Sequence, residues 1–366
     1  MRPTITRRIT SIGVILAATL LPVVVAPSAR AAGVGAQTIA SGLNWPAAFT
    51  LAPDGRIFYG ERFSGQIRIY DPATGSNTLF FTVTHLLTDG ERGLLGIALH
   101  PRYPAKPYVY AYVTRSVNTL ARNQILRIQD NGSVGTSPKL IFQSDVVANT
   151  IHNGGRILFG PDRRLYVVIG EANVPANSQD LTNDAGKILR MTATGTIPPN
   201  NPIPGSRIWS YGHRNSFGFT FDPLTSRLWE TENGPECNDE INIATGGGNF
   251  GWGPHETCST PPDPPANTNQ DGPNPIMPLT FFTPTIAPVG AAFCVGCGLS
   301  GIEGGLLFMA FKTHQVWQVV LTPDRLGIAS KSVIYTHPSS ILSMERGGDG
   351  AVYFSDAFAI YKLVQT

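Results

Sequence analysis

The stretch FTLAPDGRIFYGERFSGQIRIYD, Phe49 to Asp71, decides the fold. An apolar run reaches the turn tripeptide Pro53-Asp54-Gly55, a second run alternates toward Gly60, and after Ser64-Gly65 a third contains Ile67-Arg68-Ile69. Short alternating runs bounded by Gly, Pro and Asp, with no sustained 3.6-residue period, read as antiparallel strands joined by tight turns. One such unit would say little, but this one recurs.

LLGIALHPRYPAKPYVYAYVT from Leu94, completed by NQILRIQD, is a second copy. GRILFGPDRRLYVVIGE with GKILRMT is a third, FGFTFDPLTSRLWETENG with DEINIAT a fourth, and ILSMERGGDGAVYFSDAFAIYKLV ends the chain. The turn prolines Pro53, Pro101, Pro161 and Pro223 are 48, 60 and 62 residues apart. From Pro223 to Asp349 is 126 residues, room for one more unit, whose strands VGAAFC, GGLLFMAF and HQVWQVVLTPD supply. Six units predict an all-β chain folded as a six-bladed β-propeller, whose ring leaves only short strand edges. AQTIASGL, from Ala36, is expected to close the ring by pairing with the last blade. A two-sheet sandwich does not explain the repeat.

Residues 1–31 read as a secretory signal peptide: three early arginines, an uncharged run from Ile12 to Ala26 interrupted by Pro22, and a small-residue cleavage pattern at Ala29-Arg30-Ala31. The run is shorter than the ~20 residues of a membrane span. Arg7-Arg8 fits a twin-arginine signal or an ordinary basic leader. The expected locale is therefore secreted or extracytoplasmic, in the periplasm or at the cell surface, with the propeller over residues 32–366. Cleavage removes four arginines and no acid, taking the formal charge from +2 to −2. No Lys/Arg run remains, which argues against nucleic-acid binding. Four cysteines in an exported chain favour disulfides, Cys237 with Cys258 and Cys294 with Cys297; a zinc site is the alternative.

Between about 253 and 288 the chain is rich in Pro, Asn and Thr and cannot be an interior strand. It reads as a long loop insertion stapled by the disulfides, either functional or covering an edge. Other departures from the blade pattern carry chemistry. ETENGPECNDEIN gathers Glu230, Glu232, Glu236, Asp239 and Glu240 beside a Gly-Pro turn, which suits calcium or a solvated acidic turn. YGHRNSFGF places Arg214 and Asn215 before the fourth blade, where a guanidinium could clamp a carboxylate or a quinone oxygen, or tie two blades together. In TIHNGGRILFGPD, His152 at the mouth of the third hairpin reads as a base, a neighbour of calcium or a satisfied loop histidine.

Together these segments resemble the soluble quinoprotein sugar dehydrogenases, the glucose/sorbosone and aldose sugar dehydrogenase family. The resemblance runs through GERGLLGIALHP, HNGGRILFGPD, LTNDAGKILRM, IWSYGHRNSFGFTFDP, NGPECNDEINIATGGGNFGWG and APVGAAF, in order along the chain. It implies a six-bladed propeller that uses pyrroloquinoline quinone (PQQ) and calcium to oxidise an aldose at C1 to its lactone, electrons leaving to an external acceptor. By motif, His152 matches the general base, and Glu171 stands where the family commonly has an aspartate to orient it. Arg214 and Asn215 match the pair near the quinone edge, Arg214 also serving catalysis, and Lys312 falls at a cofactor-binding lysine. Gly234, Pro235 and Phe250 match carbonyl donors to calcium, with Asp239 and Glu240 as carboxylate donors.

One departure stands out. The family's arginine-rich segment before the last blade's turn is here SSILSMERGGDG, with Ser340 and Leu342 in the neighbourhood of the missing arginines and Arg346 near in sequence. Losing charge-assisted bonds of ~1.5 to 3 kcal/mol each predicts weaker cofactor binding. Two rival readings follow from the same fold: a calcium-dependent lactonase that activates water, and a non-catalytic propeller that binds glycans or a protein.

Overall fold

The computed structural model describes residues 33–132, 134–259 and 261–366. The leader assigned to residues 1–31 lies outside them. The described chain forms six four-stranded antiparallel sheets. Blade I is Pro46–Leu51, Ile57–Glu61, Gln66–Asp71 and Ser76–Thr82; blade II is Leu94–Leu99, Tyr108–Val117, Leu120–Asp130 and Gly135–Val147. Blade III is Ile157–Phe159, Leu165–Ile169, Lys187–Met191 and Ile208–Tyr211; blade IV is Ser216–Phe221, Leu228–Glu232, Asp239–Ala244 and Thr280–Phe282. Blade V is Pro288–Phe293, Leu306–Ala310, Gln315–Leu321 and Ile328–Thr336. Blade VI is Ile341–Arg346, Val352–Asp356 and Ala359–Gln365, completed by Val34–Ser41.

The ring closes as its sequence predicts: Val34–Ser41 pairs antiparallel with Ala359–Gln365, from Val34 opposite Gln365 to Ser41 opposite Ala359. The first strands of successive blades lie beside one another and surround the axis. Alternation along each strand sends side chains to the two neighbouring blades, so the core is a set of inter-blade layers. Phe58, Ile67 and Phe80 of blade I meet Val109, Ala111 and Ile128 of blade II, and equivalent clusters fill the other interfaces.

Blades I to V each have one strand more than the repeat read from sequence, whereas the fourth strand of blade VI is the expected Val34–Ser41. Ser76–Thr82 and Ile328–Thr336, the outer strands of blades I and V, are largely exposed and therefore carry little apolar signal, whereas Ile208–Tyr211 of blade III is mostly buried. Both expected disulfides are present, Cys237–Cys258 and Cys294–Cys297. The Pro-rich segment is less superficial than a surface loop. Thr280–Phe282 is the outer strand of blade IV, and Asn267, Thr268, Asn269 and Asp271 are buried. Asn238 Nδ2 donates to Asn267 Oδ1 (2.6 Å) and Asn269 Nδ2 to the Phe250 carbonyl (2.8 Å), so the segment repairs buried polar groups next to blade IV.

Candidate active site

A cavity of about 360 Å³ opens at the end of the ring where all six inner strands begin. Each blade contributes: Trp45 and Ala47, Glu91 and Leu95, His152 and Gly154, Arg214 and Asn215, Ala287 and Val289, Leu342 and Ser343. Positions just ahead of an inner strand have left the ladder, so their backbone and side chains are free to face the axis.

His152 is buried, and its Nδ1 lies 2.7 Å from Oε1 of Glu171, itself buried. Glu171 Oε2 accepts from the Val174 N–H at 3.2 Å, which fixes the carboxylate. With Nδ1–H donating to Glu171, Nε2 is the nitrogen left to a ligand in the cavity. The histidine backbone is left-handed, φ 58°, and is held there because its N–H donates to Glu91 Oε2 (2.7 Å) while its carbonyl accepts from Ala172 (3.2 Å). The two glycines that follow are a packing requirement. A Cβ on Gly154 would come 2.6 Å from the Val168 carbonyl oxygen, and one on Gly155 2.4 Å from the Leu95 side chain.

Glu232, at the end of blade IV's second strand, positions the next two residues: its Oε1 accepts the backbone N–H of Arg214 (3.1 Å) and of Asn215 (2.6 Å). Arg214 lies over the Trp252 ring (5.3 Å) and donates to the Asn233 carbonyl, while its Nε is buried without a partner. Asn215 bridges Gly154 N–H and Glu91 Oε2, both at 3.1 Å. Lys312 Nζ donates to Thr285 Oγ1 (2.5 Å) at the rim. Two lining residues escaped the sequence reading. Glu91 sits inside the quoted GERGLLGIALHP, and Arg62, which donates to the Arg92 and Gly90 carbonyls, lies in the similar triplet Gly60-Glu61-Arg62.

The profile of the glucose/sorbosone dehydrogenase family matches residues 43–359. The chain belongs to the glucose/sorbosone dehydrogenase family. Among its relatives in that family, a quinoprotein glucose dehydrogenase B from Acinetobacter calcoaceticus is 34% identical over 247 residues, 59% of this chain and 52% of that protein. An aldose sugar dehydrogenase from Escherichia coli is 31% identical over 233 residues, 61% of this chain and 63% of its own length. The match thus spans about half to three fifths of these two relatives. The PQQ-bound structure of an aldose sugar dehydrogenase from Streptomyces coelicolor superposes with a TM-score of 0.79 at 30% identity, covering 93% of this chain and 100% of that one.

A flat, tricarboxylated quinone of the kind used in this glucose/sorbosone dehydrogenase family fits the lining. Arg62, Arg214 and Lys312 bring positive charge, Arg214 has an orphaned donor, and Trp45, Phe217, Phe311 and Leu342 offer apolar walls. Leu342 and Ser343 occupy the stretch where the family's arginines are absent. Arg346 does not replace them: it lies at the far end of the same inner strand and donates to the Val295 carbonyl. Ser340 bonds His314 Nε2 at 3.1 Å.

The residues assigned to calcium do not form one site. Asp239 and Glu240 are consecutive in a strand and point to opposite faces. Asp239 lines the main cavity, yet its two oxygens accept from three backbone N–H groups, Gly234 (2.9 Å), Ile286 (2.6 Å) and Ala287 (2.7 Å). Glu240 instead lines a separate cavity of about 10 Å³ with Gly234, Glu232 and Phe250. Burial pushes its carboxyl up to about 8, with the Glu232 and Glu230 carboxylates adding to the rise. That donor set fits a hard cation: Glu240 and Phe250 line this cavity, and Gly234, which precedes Pro235 in the chain, lines both. Asp239 is the brace of the surrounding loops.

Arg156 also lines the main cavity, but it is committed to Glu345 Oε1 (2.7 Å), Ser343 Oγ and the Met344 carbonyl. Burial nevertheless outweighs Arg156 and raises the Glu345 carboxyl from 4.5 to about 7. The folded chain therefore keeps a proton that the unfolded chain releases, so this group's contribution declines as pH rises from 4.5 to about 7. In urea titrations across that window, Glu345→Gln is expected to flatten the loss of stability with rising pH. An unchanged slope refutes the assignment.

Proposed function

We propose that the protein is an exported quinoprotein that oxidises the C1 hydroxyl of aldose sugars to lactones, using PQQ and calcium. The observation that carries this reading is the His152–Glu171 pair on a cationic cavity. Nε2 of His152 accepts the proton of the sugar's anomeric hydroxyl, and Glu171, held by Val174, stabilises the imidazolium that results. When bound, PQQ supplies the hydride acceptor and calcium polarises its reactive carbonyl. Arg214, Asn215 and Lys312 hold and orient the cofactor, and Arg214 stabilises negative charge developing beside it. Gly234, Pro235, Glu240 and Phe250 hold calcium. An external acceptor then removes the electrons. Two disulfides support export to an oxidising compartment. Among the described residues no helix is long and apolar enough to cross a membrane.

The deciding experiment titrates purified protein with PQQ in calcium, following the quinone absorbance, and then adds aldoses. Saturable binding followed by sugar-dependent bleaching is the expected result, and it would mean that Arg62, Arg214 and Lys312 suffice without the missing arginines. No binding at high micromolar cofactor would overturn the reading, and calcium-dependent hydrolysis of lactones would then be assayed.

A further inference from the structure

The interface between blades III and IV changes character along its length. Pairing of Leu228–Glu232 with Asp239–Ala244 puts Leu228, Glu230 and Glu232 on one face, opposite Ala244, Asn242 and Glu240. Leu228 and Ala244 join the apolar layer with Tyr166 and Val168 of blade III. The remaining four are polar and buried, and His213 meets Glu230 and Glu232. Glu232 lies directly opposite Glu240, a like-charge pairing that sheets ordinarily avoid. Oε1 of Glu230 and Oδ1 of Asn242 have no hydrogen-bond partner, and Oε2 of Glu230 meets only His213 Nδ1, at 3.1 Å. Buried oxygens left this way are costly unless a cation is shared among them.

We propose that His213, Glu230 and Glu232 bind one divalent transition-metal ion of the zinc class. This site is distinct from the calcium donors, although Glu232 borders both, and it does not depend on PQQ. His213 Nδ1 is 3.1 Å from Glu230 Oε2 and 3.2 Å from Glu232 Oε2, and one donor atom from each residue lies within 4.8 Å of the others. Ligands about 2.0–2.1 Å from a tetrahedral ion are separated by roughly 3.3 Å. His213 Nε2 faces Ser210 Oγ at 2.8 Å, so Nε2–H can donate outward and leave Nδ1 to the ion. The Phe250 ring stacks on the imidazole at 4.8 Å and covers one side of the site, leaving the fourth position of a tetrahedral ion to a water molecule. One imidazole nitrogen with carboxylates suits zinc or cobalt, whereas calcium takes six to eight oxygens.

The ion's role is positional. The other oxygen of Glu232 holds the Arg214 and Asn215 backbone, so a metal on Glu232 fixes the turn that presents both side chains to the cavity.

The test loads metal-stripped protein, kept in excess calcium, with cobalt(II), and measures bound metal and the visible spectrum. The expected result is about one cobalt per chain with the intense bands of a tetrahedral site. Glu230→Gln, which matches the side chain in shape, is expected to abolish those bands while leaving calcium content unchanged. Ser210→Ala keeps all three ligands and is expected to weaken cobalt binding about 10- to 100-fold. If either variant fails to fold, the wild-type stoichiometry and spectrum still decide. Wild type that takes up no cobalt or zinc, or shows only octahedral bands unaffected by Glu230→Gln, overturns the proposal and leaves His213 as an imidazolium shared by two carboxylates.

Discussion

His152→Ala is expected to lower sugar oxidation by about 10²- to 10⁴-fold, the range a general base contributes, while PQQ binding and the melting temperature change little. The side chain touches the fold mainly through Glu171, and the bonds that keep its backbone left-handed involve its main chain, which alanine retains. Glu171→Gln separates orientation from basicity. It preserves the reach to Nδ1 and the bond from Val174 but can present its amide nitrogen to the ring. It is expected to lower kcat without raising KM and to shift the acidic limb of the pH profile. Retained turnover in His152→Ala would refute the base assignment even if PQQ binds.

Asp239→Ala is expected to be the most destabilising substitution near the cavity. It orphans three buried or part-buried N–H groups on two separate loops, at about 1–3 kcal/mol each. A loss of roughly 3–9 kcal/mol is a large share of the 5–15 kcal/mol typical of folded domains. Because Gly234 and Ala287 both line the cavity, Asp239→Asn, which can satisfy only part of the set, is expected to lose less stability but still weaken ligand binding. Urea denaturation reads the first effect and PQQ titration the second. A cost below about 1 kcal/mol for the alanine variant would mean that water replaces the carboxylate at little cost.

The blade strands were legible because burial on both faces leaves dense apolar runs, as in Leu165–Ile169 and Leu306–Ala310, where every residue is buried. The outer strands of blades I and V were not, since Ser76–Thr82 and Ile328–Thr336 face solvent and resemble loops. His152, Glu171, Arg214 and Asn215 were found through ordered motifs, and the structure brings them to one place. Asp239 and Glu240 were grouped by their charge and by the family motif, although alternation in DEINIA already assigned them to opposite faces. Glu91 was missed because an acid in a Gly-Glu-Arg triplet looks like any solvated turn. His213 was hidden within YGHRN, where only the tertiary fold brings it against Glu230 and Glu232.

Blade VI draws its outer strand from the beginning of the described chain and the rest from its end. During synthesis Val34–Ser41 must therefore wait, unpaired, while about three hundred residues are added. The apolar layer of Phe49, Ile57 and Tyr59, which Tyr353 and Ile360 later cover, waits with it. Assembly becomes a race between ring closure and association with another chain through that edge. A break at either end exposes the same edge, so trimming at the two termini, hundreds of positions apart, has one shared outcome: an open ring prone to pairing with its neighbours.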